Sequence, residues 1–250
     1  MNFEKRIAET FCCVILCASL SAQTQTVTKK SDSSAKTETN VENEYISNVE
    51  DVIITELANS DDYDNKIVAL QYLKSAVDSG RDSPDITGAL DQLASEGVTT
   101  QSRTNGRVMN NYPDIRAQAC DILAKVQTED SKNTLVNIAL HDNEPMVISA
   151  AVRALGDVGI NNKDEVVKTI AWAQKKNAVL NPTSSLAFEV LVAYDKLADT
   201  VEDKNEMIQS VTAIAANPHY VSPVRAKALD LLKKIQKSAR SSSKSTATEK

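Results

Sequence analysis

Two histidines, His141 and His219, and four cysteines, Cys12, Cys13, Cys17 and Cys120, are the residues best suited to bind a metal or act as nucleophiles. Their spacing gives them little to work with. No CxxC, HxxH or HExxH pattern places two ligands on one turn or one helix face, as a zinc site requires. With Cys12, Cys13 and Cys17 clustered at the N-terminus, Cys120 is alone in the body, and no internal disulfide is expected there. Cys120 falls on the apolar side of RAQACDIL (116–123), without a His or basic cluster to lower its pKa, and is expected to be a small buried hydrophobe. His141 follows the apolar run NIAL, where it would suit the negative end of a helix dipole, and His219 lies in the loop NPHYVSP. Gly106 and Gly159 stand in no phosphate-cradling pattern, and neither a nucleophile elbow nor a kinase signature occurs. With 34 acidic residues, chance carboxylate pairs are guaranteed, so none is assigned to acid–base work. The expectation is a chain that is not an enzyme, with no cofactor, no metal and no small-molecule substrate.

Recognition of a protein or peptide is the chemistry left. Arg103, Arg107 and Tyr112 lie in the aperiodic stretch Val98–Tyr112 (VTTQSRTNGRVMNNY). They are of the residue types that dominate binding hot spots, in a stretch that reads as a functional loop or a flexible insertion. Trp172 lies in DEVVKTIAWAQKKN, off the apolar stripe Val166, Ile170 and Ala173 and on the side of Lys168, Thr169 and Lys176. It reads as packing between helices or as an exposed anchor. A third set is Gln71, Lys74, Gln118, Asp121, Arg153, Glu189, Lys227 and Asp230, of mixed sign, on the polar side of a repeated helix.

That helix is the element that positions them. Five stretches align: KIVALQYL (66–73), RAQACDIL (116–123), ISAAVRAL (148–155), SSLAFEVL (184–191) and RAKALDLL (225–232). The fourth position is always Ala (Ala69, Ala119, Ala151, Ala187, Ala228), and the eighth always Leu (Leu73, Leu123, Leu155, Leu191, Leu232). The fifth is always apolar (Leu70, Cys120, Val152, Phe188, Leu229). A small residue lets helices approach closely, and a Leu one turn on fills the space between repeats. The clearest copy is Pro145–Gly159, which Pro145 can open and Gly156 and Gly159 can end. Each such B helix has an A partner upstream, at Ile46–Ala58, Asp85–Ser95, Lys132–Leu140, Asp164–Asn177 and Lys204–Ala216. Ser83, Asn162, Thr200 and Ser222 are the expected start signals, and Pro113, Pro145, Pro182 and Pro223 separate A from B. The Ala spacing is that of a helix pair with its turns, which predicts an all-α, right-handed solenoid of about five pairs.

Composition agrees. The chain is 42% hydrophobic but only 4% aromatic, with 6 Gly and 6 Pro in 250 residues, a balance that favours helix packing over a β-sandwich. A net charge of −6 argues against nucleic acid and anionic lipid as partners. Residues 1–22 read as an export signal: Lys5 and Arg6, the apolar run Phe11–Leu20, and small residues up to a cut after Ala22. The run is short for a membrane span, and Val14–Cys17 resembles a lipobox apart from Leu16, so membrane attachment is expected only through this N-terminus, as an anchor or lipid. Residues 23–44 and 238–250 are polar and read as a disordered linker and tail around a helical body at 45–237.

These residues resemble the HEAT-repeat family, in the short variant known from phycobilisome-lyase-type HEAT-like repeats. PDIRAQACDILA (113–124) fits through Asp114, Ile115, Arg116 and Ala119, and PVRAKALDLL (223–232) through Val224, Arg225 and Ala228. The stretch around Pro145 fits through Asp142, Val147, Ala151, Ala154, Leu155 and Gly156, with Ile148 where the family has Arg; Ser184 departs likewise. The resemblance implies a curved scaffold that binds proteins, or occasionally a carrier of a prosthetic group, and no catalysis in itself. The expectation is an exported scaffold, periplasmic or secreted, that holds a protein partner. A lyase-type protein using Cys120, and a spacer without a partner, are the alternatives.

Overall fold

Leu, Ala, Val and Ile at helical spacing need a second helix to cover each apolar stripe, and the described residues form ten α-helices. The structure, a computed structural model, describes residues 32–245, with side chains described over 45–237. The described helices are α1 (Asp32–Asn59), α2 (Tyr63–Asp78), α3 (Pro84–Ser95), α4 (Pro113–Leu123), α5 (Glu129–His141), α6 (Pro145–Val158), α7 (Glu165–Leu180), α8 (Ser184–Leu197), α9 (Asn205–Ala216) and α10 (Ser222–Ser245). They alternate as five A–B pairs. In the B layer α4 packs on α2 and α6, and α8 on α6 and α10, while in the A layer α5 packs on α3 and α7, and α7 on α9. The fold is an all-α solenoid.

The repeat rows do what their residue types require. Ala69, Ala119, Ala151, Ala187 and Ala228 are all buried, as are Leu73, Leu123, Leu155 and Leu191, with Leu232 partly so. The fifth position is less uniform than the sequence suggests. Leu70, Cys120 and Val152 are buried, but Phe188 is 43% and Leu229 51% exposed. This position faces the following repeat, as the Phe188 ring does towards Lys227 of α10, and cover thins at the last pair.

Gly156 does not end α6. The helix continues to Val158 and is closed by Gly159 in the left-handed conformation (φ 72°). Gly156 is needed for proximity instead: a Cβ there would lie 2.8 Å from Ala193 Cα of α8. Several start signals also differ. Ser83 does cap α3, accepting from Ile86 N at 3.3 Å. Thr200 does not open α9; its hydroxyl donates to Leu197 O at the end of α8 (2.9 Å), and Asp203 Oδ1 accepts from Asn205 N at the head of α9. Ahead of α7, Lys163 and Asp164 are left-handed (φ 52° and 59°). The Asp164 carboxylate accepts from Asp203 N (2.8 Å) and Glu202 N (3.0 Å). Those backbone donors, Asp203 first, hold its pKa below the usual carboxylate range.

The stretch Val98–Tyr112 is an ordered insertion. Arg103–Thr104 and Arg107–Val108 pair as an antiparallel hairpin. Its tip, Asn105–Gly106, has both φ values positive (51° and 80°), as the tight hairpin turn demands. Asn110 ties the base, accepting from Ser102 N at 2.9 Å and donating to Thr100 O at 2.8 Å. Helix also extends past the expected body, with α1 beginning at Asp32 and α10 reaching Ser245. Neither extension contains Gly or Pro, so a started helix meets no breaker there. The expected export signal lies outside the described residues.

In the A layer, burial pushes the Asp91 carboxyl up, Asp130 adds to the effect, and Thr134 pulls it back. A raised acid contributes stability below the ordinary carboxylate pKa and loses it as pH rises through the folded value. Asp91→Asn is therefore expected to raise the melting temperature at pH 7 and to give no gain near pH 3, in melts followed by circular dichroism.

Candidate protein-binding groove

Prolines place the B helices so that their first turns line one edge of the layer. Pro113 and Pro145 occupy the first turns of α4 and α6, where the missing N–H costs no hydrogen bond. Between α4, α6 and α8 an open cavity of about 490 Å³ has Ala117, Ala150 and Met146 among its walls, with Asp114, Gln118, Ser149, Thr183 and Ser185 around them. A second opening of about 400 Å³, between α2 and α4, shares Gln118 and Asp121 with the first and adds Leu70, Gln71, Lys74, Ile122 and Lys125. The two form one groove across four B helices. Met146 is 53% exposed, so an apolar surface is offered to solvent there.

Charges along the groove are paired between repeats. Arg153 of α6 donates to Asp121 of α4 (2.6 Å) and Glu189 of α8 (3.0 Å). Lys125 pairs with Asp78, Lys196 with Asp157, and Lys234 with Asp195, each across one B–B boundary. These are half-exposed bonds, each worth about 0–1 kcal/mol, that fix register more than they stabilise.

The sequence candidates separate accordingly. Gln118, Asp121 and Arg153 meet in the groove, and Glu189 joins them through Arg153. Gln71 and Lys74 line its second half. Lys227 lies 5.3 Å from the Phe188 ring centroid, beside a smaller cleft of about 180 Å³, and Asp230 pairs with Lys233 at 3.1 Å. Arg103 and Arg107 are on the hairpin, where the Arg103 guanidinium is taken up by Gln101 Oε1 at 2.7 Å. Tyr112 is a framework residue: it heads α4, is half-buried, and stacks 5.3 Å from Tyr63, whose hydroxyl donates to Asp114. Trp172 is 47% exposed with Lys176 Nζ 5.2 Å from its ring, while Thr169, expected beside it on the outer side, is buried. His141 Nδ1 lies 2.9 Å from Asn137 O, inside the last turn of α5.

A polar row, buried at Lys66 and Arg116 and open at Ser184, was missed from sequence. The first position of a B helix reaches the A–B turn of the next pair: Lys66 Nζ to Glu96 (2.7 Å), Arg116 to Asp142 (2.7 Å), and Ser184 Oγ to Val221 N (3.1 Å). Arg116 also donates to Asn111 Oδ1 (2.9 Å) and Glu96 O (3.2 Å), tying the hairpin base to two turns. A polar cleft of about 220 Å³ lies here, with Gly97, Gln101, Asn111, Arg116, His141 and Asp142 among its walls. Cys120 is completely buried, and burial pushes its thiol far above the ordinary range.

Residues 108–178 match the family model of HEAT repeats. The match supports the HEAT-repeat family and covers α4, α5, α6 and nearly all of α7, including most of the residues that line the larger cavity. No curated protein and no solved structure matches the chain.

Proposed function

We propose that this protein is an exported, non-enzymatic scaffold of the short, lyase-type HEAT-like kind, which holds a protein partner in the cell envelope. The partner lies along the B-layer groove as a peptide or an edge of a domain, with an apolar side chain against Ala117, Ala150 and Met146. The observation that carries this reading is the groove itself: an open cavity of about 490 Å³ with an exposed Met among its walls and its one Arg, Arg153, held between Asp121 and Glu189. Such a surface recognises shape and apolar contact, as repeat scaffolds do, with the solenoid keeping it preformed. The burial of Cys120 favours this reading over attachment of a prosthetic group at that thiol.

A photo-crosslinking residue at position 146 or 118, expressed in intact cells, is expected to trap one reproducible protein that the same residue at position 179 does not. Equal patterns from both sides, or none, would remove the groove as the working surface. Export predicts a mature chain that begins at Gln23 and fractionates outside the cytoplasm; a cytoplasmic chain starting at Met1 would remove that part.

A further inference from the structure

The outward stripe of α7 combines apolar exposure with basic charge. Val179 and Leu180 are 81% and 71% exposed, more than any other large apolar side chain described, and Trp172 is exposed with them. Trp172 and Val179 are seven residues apart, which sets them on one line of the helix, with Lys168, Lys175 and Lys176 within about 60° of it. The Trp172 ring is held from one side. Lys176 Nζ beside it also donates to Asp142 O (3.4 Å), Asn143 Oδ1 (3.4 Å) and Leu140 O (3.5 Å). Lys168 donates to Lys163 O at 3.1 Å, and Lys175 is exposed without a partner among the described residues. Carboxylates stand elsewhere. Glu165, the one acid of α7, is bound to Lys132 at 2.9 Å about two turns before Trp172. On the flanking A helices the acids are Glu129 and Asp130 of α5 and Glu206 of α9, all in first turns. In the turn after α5, Glu144 is the exposed acid.

Residue types decide what such a stripe fits. Lysine is depleted where two proteins bury an interface. Trp and Lys together suit a bilayer–water boundary: the ring sits at headgroup depth, and the lysine stem lies along apolar surface with its ammonium in the headgroups. The net charge of −6 repels an anionic surface only from outside the screening length, about 10 Å at 0.1 M salt. On contact the local lysines set the sign. We propose that the outer stripe of α7 docks on an anionic bilayer surface, with Trp172, Val179 and Leu180 in the headgroup layer and Lys168 and Lys175 on lipid phosphates. The stripe is on the A layer and the groove on the B layer, so the contact is independent of what occupies the groove.

Trp172 is the only tryptophan of the chain, so its fluorescence reports this contact alone. With the full-length protein at low salt, vesicles of phosphatidylcholine containing phosphatidylglycerol should shift its emission to the blue and shield it from acrylamide. Vesicles of phosphatidylcholine alone should do neither. Lys168→Gln and Lys175→Gln change exposed residues, and each should weaken binding about fivefold while circular dichroism stays helical. Val179→Ser should weaken it at least as much. An emission unchanged by phosphatidylglycerol vesicles overturns the proposal. So does vesicle flotation that all three substitutions leave unchanged, which would assign membrane binding to another part of the chain. A photo-crosslinking residue at position 179 that traps a protein in intact cells, and no lipid, overturns it as well.

Discussion

Arg116→Met is expected to cost about 3–5 kcal/mol of folding stability, because it strands the buried Asp142 carboxylate. Arg116 and Asp142 are each 1% exposed, and the guanidinium meets both carboxylate oxygens, at 2.7 and 3.4 Å. The same guanidinium holds Asn111 and Glu96 O, so the hairpin base should loosen with it. The donor from Glu144 N, at 2.8 Å, would remain to the Asp142 carboxylate, without a cation beside it. Replacing both charges, in Arg116→Met/Asp142→Leu, should recover part of the loss, since an apolar pair leaves no stranded ion. Arg153→Met is the control: its side chain is 38% exposed and its acids reach water, so the cost should stay within about 1 kcal/mol. Urea melts of the three variants and wild type measure this. A small loss at Arg116, no greater than at Arg153, would mean that the buried row is not what couples the repeats.

Gly156→Ala should destabilise by about 1–3 kcal/mol, although Ala is ordinarily the better helix residue. The added Cβ would meet Ala193 Cα at 2.8 Å and Cβ at 3.0 Å, and a backbone atom cannot swing aside. α6 and α8 would have to part, disturbing Arg153 and Glu189 above the same boundary. Gly88, in α3, has open space where its Cβ would be. Gly88→Ala should therefore gain about 0.5–1 kcal/mol. Opposite signs at two helical glycines would be the signature of close B–B packing; a gain at both would contradict it.

The repeat was legible because a helical period and a fixed small residue leave a local imprint. Ala69, Ala119, Ala151, Ala187 and Ala228 mark the buried row without any knowledge of the neighbours. The ion pairs were not legible. Arg116 and Asp142 are 26 residues apart, and Arg153 and Glu189 36, so their meeting depends on how one pair sits on the next. The Asn105–Gly106 turn was written in the sequence, but strands of two residues carry no alternating pattern to flank it. Gly156 was misread for a related reason: a glycine that ends a helix and one that admits a neighbour look alike until Ala193 is in place. Helix in α1 begins at Asp32, inside a stretch whose polar composition reads as linker, and that stretch holds no Gly or Pro to break it. Of the groove, the polar rim of Gln118, Asp121 and Arg153 was foreseen, whereas Met146 and the floor were not.

The B-layer groove is the surface proposed to hold a partner. Its most direct test is a titration of the protein trapped from position 146 against Met146→Glu and Gln118→Lys on one side, and Trp172→Glu and Val179→Glu on the other. All four substitutions lie at exposed positions. The groove variants should bind at least about tenfold more weakly and the outer variants like wild type. Loss at Trp172 and Val179, with binding intact at Met146 and Gln118, would place the working surface on the A layer and contradict the account.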